Sequence, residues 1–330
     1  MFIPRILTVF TLLAVTACAG PELENRNHPL TGHIWDSQAG TFIEAETLFD
    51  RLAAAEFVML GERHDNPRHH TLQAQVVVAL VARGQRPAVA FEMLTRDKQD
   101  AVERARREAP DSPDALAAAV AWSESGWPAW AQYRPVFAAA YAHGLPVVAA
   151  NLPREQLRPL AMKGAAKLSP EARERYALDV GLPPRQREAM TEALQAGHCG
   201  LMPEKMIPGM LTVQRARNGI MAKSLLDAAR DADGAVLITG NGHARADRGV
   251  PYVLGELAPE RPTLALAFRE VEGGETDPQA YGAADAADDD NGTAPPFDYV
   301  WFTASKVRKK DPCEGLRQHM EDKQGDEAAS

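Results

Sequence analysis

Six short apolar runs recur along the chain, at 57–60, 87–91, 146–150, 235–239, 263–268 and 299–302. They lack the alternation of a strand with one wet face, so they predict strands buried on both faces. Between them the period changes. Residues 67–83 set Leu72, Val76 and Leu80 on one helical face and stop at Gly84, and 128–143 stops at Gly144. Charged helices are predicted over 96–109 and 114–120, a short one over 45–54, and a long one over 210–230. Residues 33–36 and 41–44 flank Ser-Gln-Ala-Gly and read as a small hairpin. The alternation predicts an α/β fold, a mainly parallel sheet flanked by helices. Residues 153–209 hold no strand, only helical segments broken at Pro and Gly. They are expected to form an inserted helical subdomain, which divides the α/β core into 33–152 and 210–303.

In an open parallel sheet, ligands bind outside the carboxyl ends of the strands. The first four runs are followed by Glu62 and His64, by Glu92, by Asn151 and Arg154, and by Asn241 and His243. Two exits share the form G-x-x-H, Gly61 to His64 and Gly240 to His243. A glycine lets the backbone turn or approach a ligand closely, and the histidine then projects over the sheet edge. The simplest reading of Glu62 is a helix-capping or Arg63-paired carboxylate. Asn66 before Pro67 suits a helix N-cap. His69 and His70 lie in the first helical turn, where the dipole disfavours a cation and so favours neutral imidazoles able to ligate. Met210, Val213, Ile220 and Met221 read as core packing; Arg217 interrupts them and needs an acidic partner or an anionic ligand. Trp127, Trp130 and Tyr133 recur every three residues. They suit either a core anchor or a wall for a flat aromatic ligand.

The formal net charge of −9 argues against nucleic acid as partner. Residues 6–15 are apolar except for Thr8 and Thr11, too short to span a bilayer but suited to a secretory signal. The signal ends in Val15-Thr16-Ala17-Cys18, which resembles the lipobox of bacterial lipoproteins. Residues 1–17 are thus expected as a signal peptide, Cys18 as the lipidated residue, and 18–32 as an extended tether. Ala19 in place of Asp favours the outer membrane, facing the periplasm. In that oxidising compartment the remaining Cys199 and Cys313 are expected to pair. Residues 270–296 are acidic and poor in apolar side chains, so a disordered loop is expected there, and 304–330 are expected as a tail, charged and mobile after about Leu316.

"LGERHDNPRHHTLQ", "FEML", "W-x-x-W-x-x-Y-R-P", "NLPR", "HCG", the segment of Gln214 and Arg217, and "GNGHARADRGVP" together resemble the ChaN family of haem-binding uptake lipoproteins, within the Tiki/TraB superfamily. The likeness runs in order from about 33 to 255, and "DYVWFT" extends it to 303. It implies non-covalent haem, paired haems at a homodimer interface, and a role in iron uptake, with an outer-membrane haem receptor as a further partner. Glu62, His64, Glu92 and His243 carry over from the family's motifs. Tyr133 is the first expected axial donor to the haem iron, followed by His64 and His243. Trp130 would wall the haem, Arg154 and Arg217 would meet its propionates, and His69 and Asn151 would complete the site. The superfamily supplies an alternative: a metal-dependent peptidase or an esterase, with Glu62, His64, Glu92 and His243 holding a divalent cation or forming a base and its carboxylate. A third reading is a vestigial site on a tethered partner protein.

Overall fold

A computed structural model describes residues 22–283, 295–308, 311, 313–315 and 317–318. The strands are β1 (Leu23–Glu24), β2 (Ile34–Asp36), β3 (Thr41–Ile43), β4 (Phe57–Glu62), β5 (Ala88–Thr95), β6 (Val147–Asn151), β7 (Ala235–Gly240), β8 (Thr263–Glu270), β9 (Tyr299–Thr303) and β10 (Ser305–Lys306). The helices are α1 (Ala45–Ala53), α2 (Pro67–Ala82), α3 (Gln99–Glu108), α4 (Pro113–Ala119), α5 (Trp130–Ala142), α6 (Arg154–Lys163), α7 (Pro170–Arg175), α8 (Pro184–Gly197), α9 (Ile207–Ala228), α10 (Asn241–Ala244), α11 (Val250–Leu257) and α12 (Ala280–Ala283).

The main sheet has the order β3-β2-β9-β8-β4-β7-β5-β6. The six strands from β9 to β6 run parallel, and the hairpin β2–β3 adds an antiparallel edge. Successive side chains on a strand point to opposite faces. Val58, Leu60, Val89, Phe91, Val236 and Ile238 therefore pack on one side, with α2 and α5. Phe57, Met59, Ala88, Ala90, Ala235 and Leu237 pack on the other, with α9 and α11. Both faces are dry, which is why the strands read as unbroken apolar runs. The helical block has a smaller cluster of its own, Leu160, Tyr176 and Leu178 against Val213, Ala216 and Ile220 of α9.

The ends of the chain differ from expectation. In the expected tether, β1 pairs with β10 and Leu30 is buried. The expected tail begins as structure: Arg308 donates to Asp65 at 2.6 Å and to Glu270 at 2.8 Å. The β1–β10 pairing and the Arg308–Asp65 ion pair join residues more than 240 positions apart, a separation that no local pattern encodes. Cys199 and Cys313 form a disulfide with Cα atoms 5.5 Å apart, tying the C-terminal segment to the helical block. The expected loop starts as strand: β8 runs to Glu270, and Val271 and Tyr281 are buried. Residues 284–294 of that loop, the signal segment 1–17 and Cys18 lie outside the described residues.

Candidate functional site

Strand β7 lies between β4 and β5, with Glu62 in register with Gly240. The two G-x-x-H exits are thus neighbours. A Cβ on Gly61 would sit 2.4 Å from Asn241 Oδ1, and one on Gly240 would sit 2.9 Å from His64 Nε2. Only glycine admits these approaches.

Glu62 is buried at the centre of the first group. Its Oε1 accepts from the Tyr133 hydroxyl at 2.5 Å and from His64 Nδ1 at 2.8 Å, and its Oε2 lies 3.0 Å from His70 Nδ1. His70 Nε2 donates to the His64 carbonyl at 3.1 Å, while Nδ1 faces Glu62 and, at 3.2 Å, Gln73 Oε1. Both His70 nitrogens face acceptors, so His70 is an imidazolium. Burial works against its charge, but Glu62 and Gln73 hold its pKa above the ordinary value. Burial likewise opposes ionisation of Glu62, yet His70 and His64 hold it well below the usual carboxylate range. For His64, burial is outweighed by the Glu62 hydrogen bond and by the charges of Glu92 and Glu62, so its pKa is raised.

The Glu62 bond fixes the His64 tautomer. A carboxylate behind one ring nitrogen orients the imidazole and strengthens the other as a donor. His64 Nε2 makes no hydrogen bond among the described residues, and the side chain is 35% exposed. Its ring meets Trp127 edge-on at 4.9 Å. Beside Trp127 lies a cavity of about 270 Å³ lined by Met93, Leu94, Trp122 and Arg154.

The second group centres on Glu92. It accepts from Arg217 Nη2 at 2.7 Å, Thr239 Oγ1 at 2.7 Å and the Gly240 amide at 2.8 Å. Burial is outweighed by His243, Arg217 and His64, which hold its pKa at about 2. His243 Nδ1 donates to Asn218 Oδ1 at 2.5 Å and Nε2 accepts from Gln214 at 3.2 Å. Burial pushes its pKa down to about 4, with Glu92 only partly offsetting that. Asn151 accepts from Arg217 Nε and donates to the Glu92 carbonyl.

Glu62, His64, Glu92, Asn151, Arg217 and His243 thus converge at one edge of the sheet, whereas several expected roles need correction. Tyr133 is fully buried. Burial and the Glu62 carboxylate push its hydroxyl far above the ordinary tyrosine range, so it suits a fixed donor to Glu62 and not a phenolate ligand. Trp130 packs on Trp122 and Phe137 and donates to Asp114. Trp127, not Trp130, is the ring that meets His64. Arg217 and Asn151 are committed to Glu92 and to each other. Arg154 stands apart, bonded to the Ser125 carbonyl at the cavity. His69 faces away: Nδ1 accepts from the Arg63 amide and Nε2 donates to Thr303. Burial takes its pKa down to about 3. His70, expected as a neutral imidazole able to ligate, is instead buried with both nitrogens against acceptors, a partner of Glu62. Its i, i+3 spacing to Gln73, on one face of α2, was the available signal for that role. Sequence reasoning did not place Thr239 or Asn218.

The divalent-cation alternative finds no support in the donor set. Among the described residues no group of three or more His, Cys, Asp or Glu side chains is disposed to hold a metal ion. An axial donor for haem is a different demand, and the open Nε2 of His64 beside the Trp127 ring fits it; the cavity next to Trp127 carries both cations, Lys98 and Arg154, and acids, Asp97, Glu124 and Glu155.

A family model described as haem-binding uptake, Tiki superfamily, ChaN matches residues 48–254. Among solved structures, ChaN of Campylobacter jejuni, which binds haem cofacially, superposes with a TM-score of 0.59 at 20% identity, covering 81% of this chain and 95% of that one. The type III effector HopBA1 gives 0.41 at 16% identity, over 78% and 91%. The erythromycin esterase EreC gives 0.33 at 16% identity, over 68% and 72%. The first likeness is one of fold, and the looser two carry no argument. No curated protein matches the chain by sequence.

Proposed function

The chain belongs to the ChaN family of haem-binding uptake proteins in the Tiki superfamily, and on that premise we propose that it binds haem at the carboxyl edge of its sheet, with His64 as axial donor. One observation carries the choice of donor: His64 Nδ1 is held by Glu62 while Nε2 has no partner among the described residues. Haem supplies an iron centre that accepts one more ligand. The chain supplies an oriented imidazole, the Trp127 ring, and Arg154 for a propionate. Glu62 keeps the His64 proton on Nδ1, and Tyr133 and His70 keep Glu62 in place.

The wider setting belongs to the same proposal. The protein serves haem uptake in the cell envelope, as a homodimer anchored through a lipid on Cys18 to the outer membrane, and passes haem to or from a receptor there. The residues 15–18 support the anchor. A Cys18→Ala variant is expected in the soluble fraction after lysis; if it sediments with membranes as the wild type does, the anchor is wrong.

Titration with haemin tests the site. The wild type should bind in stoichiometric amount and give a ferric Soret band. Loss of an outer-shell partner of a metal ligand costs roughly 10–100-fold in affinity, so His64→Ala should cost at least about 100-fold. Tyr133→Phe should leave the band where it is. A band that shifts with Tyr133→Phe and survives His64→Ala would return the donor role to tyrosine. Ester or peptide turnover that vanishes with His64→Ala, in a protein that takes up no haemin, would establish the hydrolytic alternative instead.

A further inference from the structure

Helix α9 is longer than the sheet it packs on. Its 22 residues span about 33 Å, against about 20 Å for the six residues of β7. Its C-terminal half lies on the sheet, with Met221, Leu225 and Asn218 buried. Arg217 and Gln214 then reach Glu92 and His243 at the carboxyl edge. Residues before Gln214 therefore extend past the last strand residue, beyond the site.

The rotation of α9 is fixed by the adjoining flank, which meets the helical block. A Cβ on Gly209 would sit 2.3 Å from the Ala161 carbonyl of α6, and Val213, Ala216 and Ile220 face the helical block. At 100° per residue, Met210, Gln214 and Arg217 then share one stripe, within about 60° of arc, and Met206 ends the 3-10 turn that leads into the helix. That stripe is polar at the site and apolar beyond it. Met206 is 50% exposed, and Met210, expected in the core, is only half-buried. An apolar stripe that leaves the sheet and overhangs a polar site has nothing of the sheet to cover.

We infer that Met206 and Met210 form the apolar wall against which the bound haem lays its porphyrin, outward of His64 and Arg217. This rests on the haem reading above. The occupant follows from continuity with the site on one helix face. A porphyrin is polar at its iron and propionates and apolar over its ring, in the order the stripe presents. Methionine suits the contact because its thioether is polarisable and its chain adapts to an aromatic edge.

The test is haemin affinity and Soret position in five proteins, the wild type, three methionine variants and His64→Ala. Removing a buried methionine contact should weaken binding about tenfold in Met210→Ala and in Met206→Ala. Met210→Leu should bind like the wild type. The Soret maximum should not move, because the donor is untouched, and melting should confirm that the half-buried site still folds. Met210→Ala and Met206→Ala binding as tightly as wild type, with His64→Ala still impaired, would sink this inference and leave the haem reading standing. A wild type that takes up no haemin would sink both.

Discussion

Glu92→Ala is expected to cost the apoprotein about 3–5 kcal/mol, the range for breaking one side of a buried ion pair. Glu92 is 2% exposed and holds Arg217, the Thr239 hydroxyl and the Gly240 amide. Removing it leaves a guanidinium facing a void and a buried N–H and O–H without acceptors, and each such orphan adds its own desolvation cost. Against a total stability of about 5–15 kcal/mol for a typical domain, the variant is close to unfolding. Glu92→Gln keeps the shape and one acceptor, so it should cost less, about 1–3 kcal/mol. The double variant with Arg217→Ala should cost less than the two single changes added together, because the stranded charge has gone with its partner. Urea unfolding of the wild type and the four variants, Arg217→Ala alone included, reads all three terms. A Glu92→Ala midpoint indistinguishable from wild type would mean that the Glu92 cluster does not hold the edge of the sheet.

The sheet was legible because its physics is repetitive. Strands dry on both faces must be continuous apolar runs, and each of the six parallel strands announced itself that way. The paired G-x-x-H exits were legible for a related reason: the glycines are demanded by backbone approach, and that demand shows in the residue type. Contacts set by helix rotation or by distant pairing were not legible. His69 and His70 are adjacent and alike in sequence, yet 100° apart on α2, so one faces Glu62 and the other Thr303. The spacing of Trp127, Trp130 and Tyr133 suggested one helical face, but α5 begins at Trp130. Trp127 therefore lies outside the helix and reaches His64, while Tyr133 is buried in the core and Trp130 packs at its edge. Arg217 needed an acid, and its partner lies 125 positions away. The half-buried Met210 has the same composition as a core residue; only the length of α9 relative to the sheet sets it apart.

Acid should weaken the apoprotein well above the range where most carboxylates titrate, because His69 and His243 are buried in neutral forms. The geometry requires neutrality: His69 Nδ1 accepts from the Arg63 amide and His243 Nε2 accepts from Gln214. In the unfolded chain both would protonate near the ordinary value of about 6.5. Folded, burial holds them at about 3 and about 4. Below pH 6.5 the unfolded state thus binds two protons that the native state refuses, and stability falls as pH falls. Each group contributes about 1.4 kcal/mol per pH unit, so the pair loses roughly 3 kcal/mol per unit down to pH 4. His64 and His70 have raised pKa values, so their contribution is fully present below 6.5 and is lost only as pH rises through the raised values. They do not offset the acid loss. Below its usual 4.5, Glu92 adds to that loss until pH reaches about 2. The urea midpoint should therefore fall steeply from pH 6 to pH 5, and His69→Gln, which can keep both hydrogen bonds without titrating, should roughly halve the slope. A midpoint that stays level over that interval, or rises, would show that neither histidine is held neutral in the fold.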